Sequence, residues 1–148
     1  MSTSIRHLTL LAAVGLVGLA GTAAAADRPY TEGPVSIVTA IRTENGMWDD
    51  YLAFVATSWK TEMDAAKQAG LIVGYAVYST VPRNPNEPDL YLVVTYKNFA
   101  AFDGLSAKMD AITEKFSGSL QKANAETTAR GKIRKILGDE MIQQLILK

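Results

Sequence analysis

Two runs rich in β-branched and aromatic residues, Leu71–Thr80 and Leu90–Lys97, flank a loop that holds Pro82, Pro85 and Pro88. Such runs read as strands, and a Pro- and Asn-rich connection between them reads as a long hairpin turn. The chain before and after this pair has a helical rhythm. Trp48, Leu52, Val55, Trp59, Met63 and Ala66 recur at spacings of three and four and predict a helix from about Met47 to Ala69. Gly70 is its expected stop, and Asn45 is a plausible N-cap ahead of the acidic pair Asp49–Asp50. Beyond the hairpin, Asn98 is placed to cap a second helix striped by Phe99, Phe102, Leu105, Met109, Ile112 and Phe116.

The rest of the chain completes an order. Pro34 opens VSIVTAIR, a strand with apolar residues on both faces. After Gly118, a third helical stretch is predicted over 119–137, with Ala125, Ala129, Ile133 and Ile136 as its stripe. Gly138 ends it, and Glu140–Lys148 reads as the last strand. Strand, helix, strand, strand, helix, extra helix, strand is an α+β, ferredoxin-like βαββαβ pattern. Right-handed crossovers put the main helices on one face of a four-stranded antiparallel sheet. The other face is then bare, yet its strands carry apolar groups, which implies a partner.

The first 26 residues stand apart. One arginine, the apolar run LTLLAAVGLVGLA and an Ala-rich end before Asp27 form a secretory signal pattern. A bilayer crossing needs about 20 apolar residues, more than this run supplies. The expectation is a domain over 27–148 that is periplasmic or secreted and has no membrane span after cleavage. Mass spectrometry of the native protein should then find its N-terminus within a residue or two of Asp27, and intact Met1–Ala26 would refute this.

Cleavage also removes Arg6 and His7, so the formal net charge of zero becomes −1 and no histidine is left. Cysteine is absent throughout. Without imidazole or thiolate, a zinc site, haem ligation by His or Cys and His-based nucleophile chemistry all lack their side chains. No cofactor is expected. A near-neutral chain also has no electrostatic footprint for nucleic acid.

Several residues stand as site candidates. Trp48 and Trp59 either anchor the core or line a pocket between helix and sheet. Tyr75 and Tyr78 face opposite ways, as do Tyr91 and Tyr96, so each strand offers one tyrosine to each side. Gly74 suggests a bulge or a close approach. Arg130 and Arg134, read as neighbours on one helix face, are either a solvated basic end or an anion clamp.

In element order, in the first helix with Trp48 and Trp59, in LYLVVTY leading to NFAAF and in the ending GKIRKILGDEMIQQLIL, the chain resembles the dimeric α/β-barrel superfamily. Antibiotic-biosynthesis-type monooxygenases and NIPSNAP-like proteins are among its members. The resemblance implies a homodimer whose two sheets close into a barrel, with ligand pockets between sheet and helices. Cofactor-free members hold an aromatic substrate with polar and Trp/Tyr side chains; the resemblance makes Asn45, Trp48 and Tyr51 candidates for those parts, and Trp59, Tyr75 and Tyr91 extend the candidate set. No catalytic motif matches residue by residue. Two functions stay open: a dimer binding a small apolar or aromatic ligand or a protein partner, and a cofactor-independent monooxygenase.

Overall fold

The structure, a computed structural model, describes residues 27–148. The proposed signal sequence lies outside them. Four antiparallel strands, β1 (Tyr30–Thr43), β2 (Gly74–Ser79), β3 (Leu90–Tyr96) and β4 (Arg134–Leu147), form one sheet in the order β2-β3-β1-β4. Between β1 and β2 run α1 (Trp48–Phe54), a π-helical segment (Val55–Trp59) and α2 (Lys60–Gln68), in unbroken succession. Between β3 and β4 lie a short 3₁₀ turn (Phe99–Phe102), α3 (Leu105–Ser117) and α4 (Leu120–Ala129). The extra helix before the last strand is therefore present.

The register sorts every strand residue to a side. Ile41 pairs with Leu90, and Val35 with Tyr96, and all four are buried under the helices. One buried cluster joins Ile41, Leu90 and Leu92 to Tyr51 and Val55, and a second joins Tyr96 and Ile72 to Met63 and Ala66. Trp59 packs against both.

The opposite side of the sheet reads as three rows across the strands. They are Ile142–Ser36–Thr95–Gly74, Glu140–Val38–Val93–Ala76 and Gly138–Ala40–Tyr91–Tyr78. None of these residues belongs to either buried cluster. The hydroxyls of Ser36 and Thr95, in the first of these rows, satisfy each other by a hydrogen bond of 2.9 Å.

Local chemistry accounts for the joints. Gly70 takes a positive φ of 70°, which glycine adopts without a Cβ clash, and it ends α2 as expected. A bulge in β1 sits at Gly33–Pro34, between Glu32 and Val35. Gly33 lets the strands approach closely there, because a Cβ would press on the Gln144 carbonyl at 3.0 Å. At the other end of β1, the Asp89 carboxylate accepts the Thr43 N–H at 3.1 Å and the Thr43 hydroxyl at 2.5 Å. That pins the hairpin loop to the strand beside it.

Five sequence expectations are corrected. The third helical stretch stops at Ala129, and a 3₁₀ turn over Arg130–Lys132 leads into β4 at Arg134, well before Glu140. Arg130 and Arg134 therefore share no helix face. Asn45 is no cap: the helix starts at Trp48, its N-cap position is Met47, and no side chain bonds there. Asn98 precedes the 3₁₀ turn without a side-chain bond, so Phe99 and Phe102 sit in that turn and α3 begins only at Leu105. Gly74 enters β2 with its register unbroken, so no bulge is there.

Candidate functional site

The structure does not bring the sequence-derived candidates to one place. Asn45 lies in an exposed turn before α1. Tyr51 is 2% exposed, inside the first cluster, with Trp48 half-buried at its rim. Trp59 stands edge-on to Tyr75, with ring centroids 5.3 Å apart at 85°. The Tyr75 hydroxyl donates to Asp64, which also accepts from Lys60. That donation holds the Tyr75 phenol above its ordinary pKa, and the Lys60 bond holds Asp64 below the usual carboxylate range. Tyr91 is on the other side of the sheet, paired with Tyr78, in a shallow hollow of about 330 Å³ beside Val38 and Pro88.

A larger cavity lies elsewhere. It is a cleft of about 580 Å³ between the π-helical segment with α2 on one wall and α3 with α4 on the other. That is within the range of small-molecule sites. Neither tryptophan lines it.

The π-helical wall is built by one residue too many for the α-helical turn. The Lys60 N–H reaches back five residues to the Val55 carbonyl. The Thr57 hydroxyl donates to the Ala53 carbonyl at 2.7 Å, and Thr61 bonds to the Thr57 carbonyl in the same way. Such widenings are frequent at functional sites. Here the widening turns Thr57 and Ser58 toward the cleft while Val55 and Trp59 stay against the core.

Charge is arranged across the cleft. Arg130 stacks on the Phe54 ring, 4.1 Å from guanidinium carbon to centroid, and donates to the Thr127 hydroxyl at 2.8 Å. Stacking on an aromatic face is a favoured guanidinium geometry. Burial and the nearby Arg134 pull the Arg130 pKa down. Arg134, at the start of β4, faces Tyr51, and its Nε is buried without a hydrogen-bond partner among the described residues. So the two arginines lie near enough to repel, across a turn and the start of a strand rather than along a helix. Tyr51 itself is raised by burial, against the pull of both arginines.

Glu62 of α2 is the residue sequence reading missed. Burial pushes its carboxyl above the ordinary value, Glu126 adds to the rise and Arg130 opposes it. It has no ion-pair partner within 4.0 Å among the described residues. Because its folded pKa exceeds its unfolded one, the native chain holds the extra proton between the two values, and stability falls as pH rises through that window. Glu62→Gln removes the ionisation. The variant should gain stability over wild type as pH rises through the raised Glu62 value, and match it in acid, where the wild-type Glu62 is protonated folded and unfolded alike. Urea unfolding at a series of pH values checks this, and a constant difference at all pH values would contradict it.

No family model and no curated protein matches the chain. Solved structures do. A dimeric ferredoxin-like protein from an uncultured marine organism shares 14% identity with a TM-score of 0.51, covering 80% of this chain and 98% of that one. HapK from Hahella chejuensis shares 16% identity at a TM-score of 0.45, covering 74% and 91%. A protein of Shewanella oneidensis shares 21% at 0.49, covering 79% and 96%. The chain has a ferredoxin-like fold. The element order, the β2-β3-β1-β4 sheet and the first of these likenesses agree on it. No helix among the described residues is long and apolar enough to cross a membrane.

Proposed function

We propose that the protein is an exported homodimer that binds a small ligand, with its sheet serving assembly and its helices serving binding. The observation that carries this is the uncovered outer face of the sheet together with β4. Val38, Val93, Ala76, Tyr91 and Tyr78 form a nearly continuous apolar surface there. β4 is a fourteen-residue edge strand whose Met141, Ile142, Leu145 and Ile146 are each about half-exposed, and whose Leu147 is 78% exposed. Long apolar edges are liabilities that proteins cover. A monomer rarely leaves a patch of this kind in water.

A second copy is the occupant of that face. The three outer rows carry small and apolar side chains, with one charge, Glu140, on the edge strand, and the Arg42–Lys135 pair lies beyond them at one end. Two such faces can approach closely without stranding a charge. A standard interface removes about 800 Å² per partner, which at ~25 cal/mol per Å² and a little over half apolar is of order 10 kcal/mol of gross burial. That exceeds the lower estimates of what association costs. Pairing through the sheet leaves the helix-side cleft open to solvent and ligand.

The chain lacks cysteine, so one introduced thiol is a clean probe. In Val93→Cys the thiol should resist alkylation at micromolar protein and become reactive on dilution. In Ala107→Cys, on the exposed side of α3, it should react at any concentration. Equal, concentration-independent reactivity of the two thiols would refute the assembly.

A further inference from the structure

We propose that the cleft between α2 and α4 is a site for an apolar α-amino acid, whose carboxylate meets Arg130 and whose ammonium meets Glu62. This rests on the reading that the helix side carries the ligand, and it names the ligand's class.

Three observations lead there. The first is an ion pair that does not close. Glu62 and Arg130 lie near enough for each to shift the other's titration, yet no carboxylate comes within 4.0 Å of Arg130 among the described residues. The reason is mechanical. Arg130 is held between the Phe54 ring at the end of α1 and the Thr127 hydroxyl of α4, while Glu62 stands further along the helical run, in α2. The guanidinium cannot turn to Glu62 without giving up both contacts. A ligand carrying the two opposite charges bridges what the side chains cannot.

The second observation is the sign of the field. The cleft lining holds one cation, Arg130, against the carboxylates of Glu62, Asp110 and Glu126. Glu126 has its own lysine, Lys122, at 4.0 Å. A purely anionic ligand would meet more like charge than unlike charge. A ligand with an ammonium answers the surplus, and Glu62, the half-buried carboxylate without a partner, gains most from it. Arg134 adds positive potential behind Arg130 and so favours the carboxylate at that end.

The third observation is the apolar lining. Phe54, Phe116 and Leu120 line the same cleft. They offer a hydrocarbon or aromatic surface beside the two charged groups, and a guanidinium stacked on a ring keeps its remaining N–H donors free at its own edge for a carboxylate.

Isothermal titration calorimetry on the purified protein tests this with three probes: L-phenylalanine, 3-phenylpropionate, which lacks the ammonium, and phenethylamine, which lacks the carboxylate. Phenylalanine should bind saturably, one per chain, and each half-analogue about tenfold or more weakly, as expected when a charged hydrogen-bonding group loses its partner. In Glu62→Gln, phenylalanine should lose most of its advantage over 3-phenylpropionate. In Arg130→Gln it should lose its advantage over phenethylamine. No saturable heat with phenylalanine or L-leucine at millimolar concentration would overturn the proposal, and so would 3-phenylpropionate binding as tightly as phenylalanine. The thiol-protection pattern is read on the same preparation. A protected Val93→Cys thiol without amino-acid binding rejects this ligand class alone, whereas binding by an unprotected chain rejects the assembly alone.

Discussion

Val93→Asp should convert the protein to monomers at micromolar concentration. Val93 occupies the middle row of the outer sheet face, between Val38 and Ala76, so its side chain points away from both buried clusters. In a free chain the aspartate would stand in water and cost the fold little. In the assembled sheet-to-sheet pair it would be buried without a counter-charge. A charge so stranded costs ~3–5 kcal/mol. At 1.4 kcal/mol per decade, that raises the dissociation constant by about two to four orders of magnitude. Val93→Ala, which only trims the contact, should remain a dimer at the same concentration. Light scattering on the three proteins distinguishes these outcomes, and a Val93→Asp variant with unchanged mass would show that the face is not the interface.

Trp59→Ala should be the most damaging single truncation within the chain. Trp59 packs against both buried clusters and stands edge-on to Tyr75, so the substitution opens a cavity where the two halves of the core meet. Truncations of this type cost ~3–5 kcal/mol. That is a large part of the 5–15 kcal/mol typical of a whole domain. The expected loss in Tm is about 10–20 °C for a domain of this size. Trp48→Ala should cost clearly less, because Trp48 touches one cluster only, from its rim. Chemical unfolding of both variants by circular dichroism would settle the ranking, and equal losses would contradict the bridging role given to Trp59.

The hairpin and the first helix were legible because their signals are local. Leu90–Tyr96 shows period-two burial, and Gly70 stops α2 with the positive φ its position requires. The end of the chain was harder to read. Ala125, Ala129, Ile133 and Ile136 keep helical spacing through Gly131, so periodicity alone carries the helix too far. What decides the matter is pairing with β1: Arg134 to Thr43, Lys135 to Arg42 and Ile136 to Ile41. Strand pairing across so much sequence leaves no mark in a local window.

The π-helical segment did leave a trace. Tyr51, Val55, Trp59 and Met63 are spaced by four throughout, and such a series drifts about 40° per step around an α-helix. All four nevertheless pack against the core, because the extra residue in the π-helical turn resets the phase. A long run of large apolar residues at constant spacing four is thus a readable sign of the widening. The charged pair in the cleft had no such sign. Arg130 stood out in a basic run, but Glu62 is one acid among many on a polar helix face until α4 is packed opposite it.

Sedimentation equilibrium of the wild-type protein reads out whether a second copy of the chain covers the outer face of the sheet. A single species of twice the chain mass at micromolar concentration is the predicted result. A clean monomer across that range, with no concentration dependence, would contradict it.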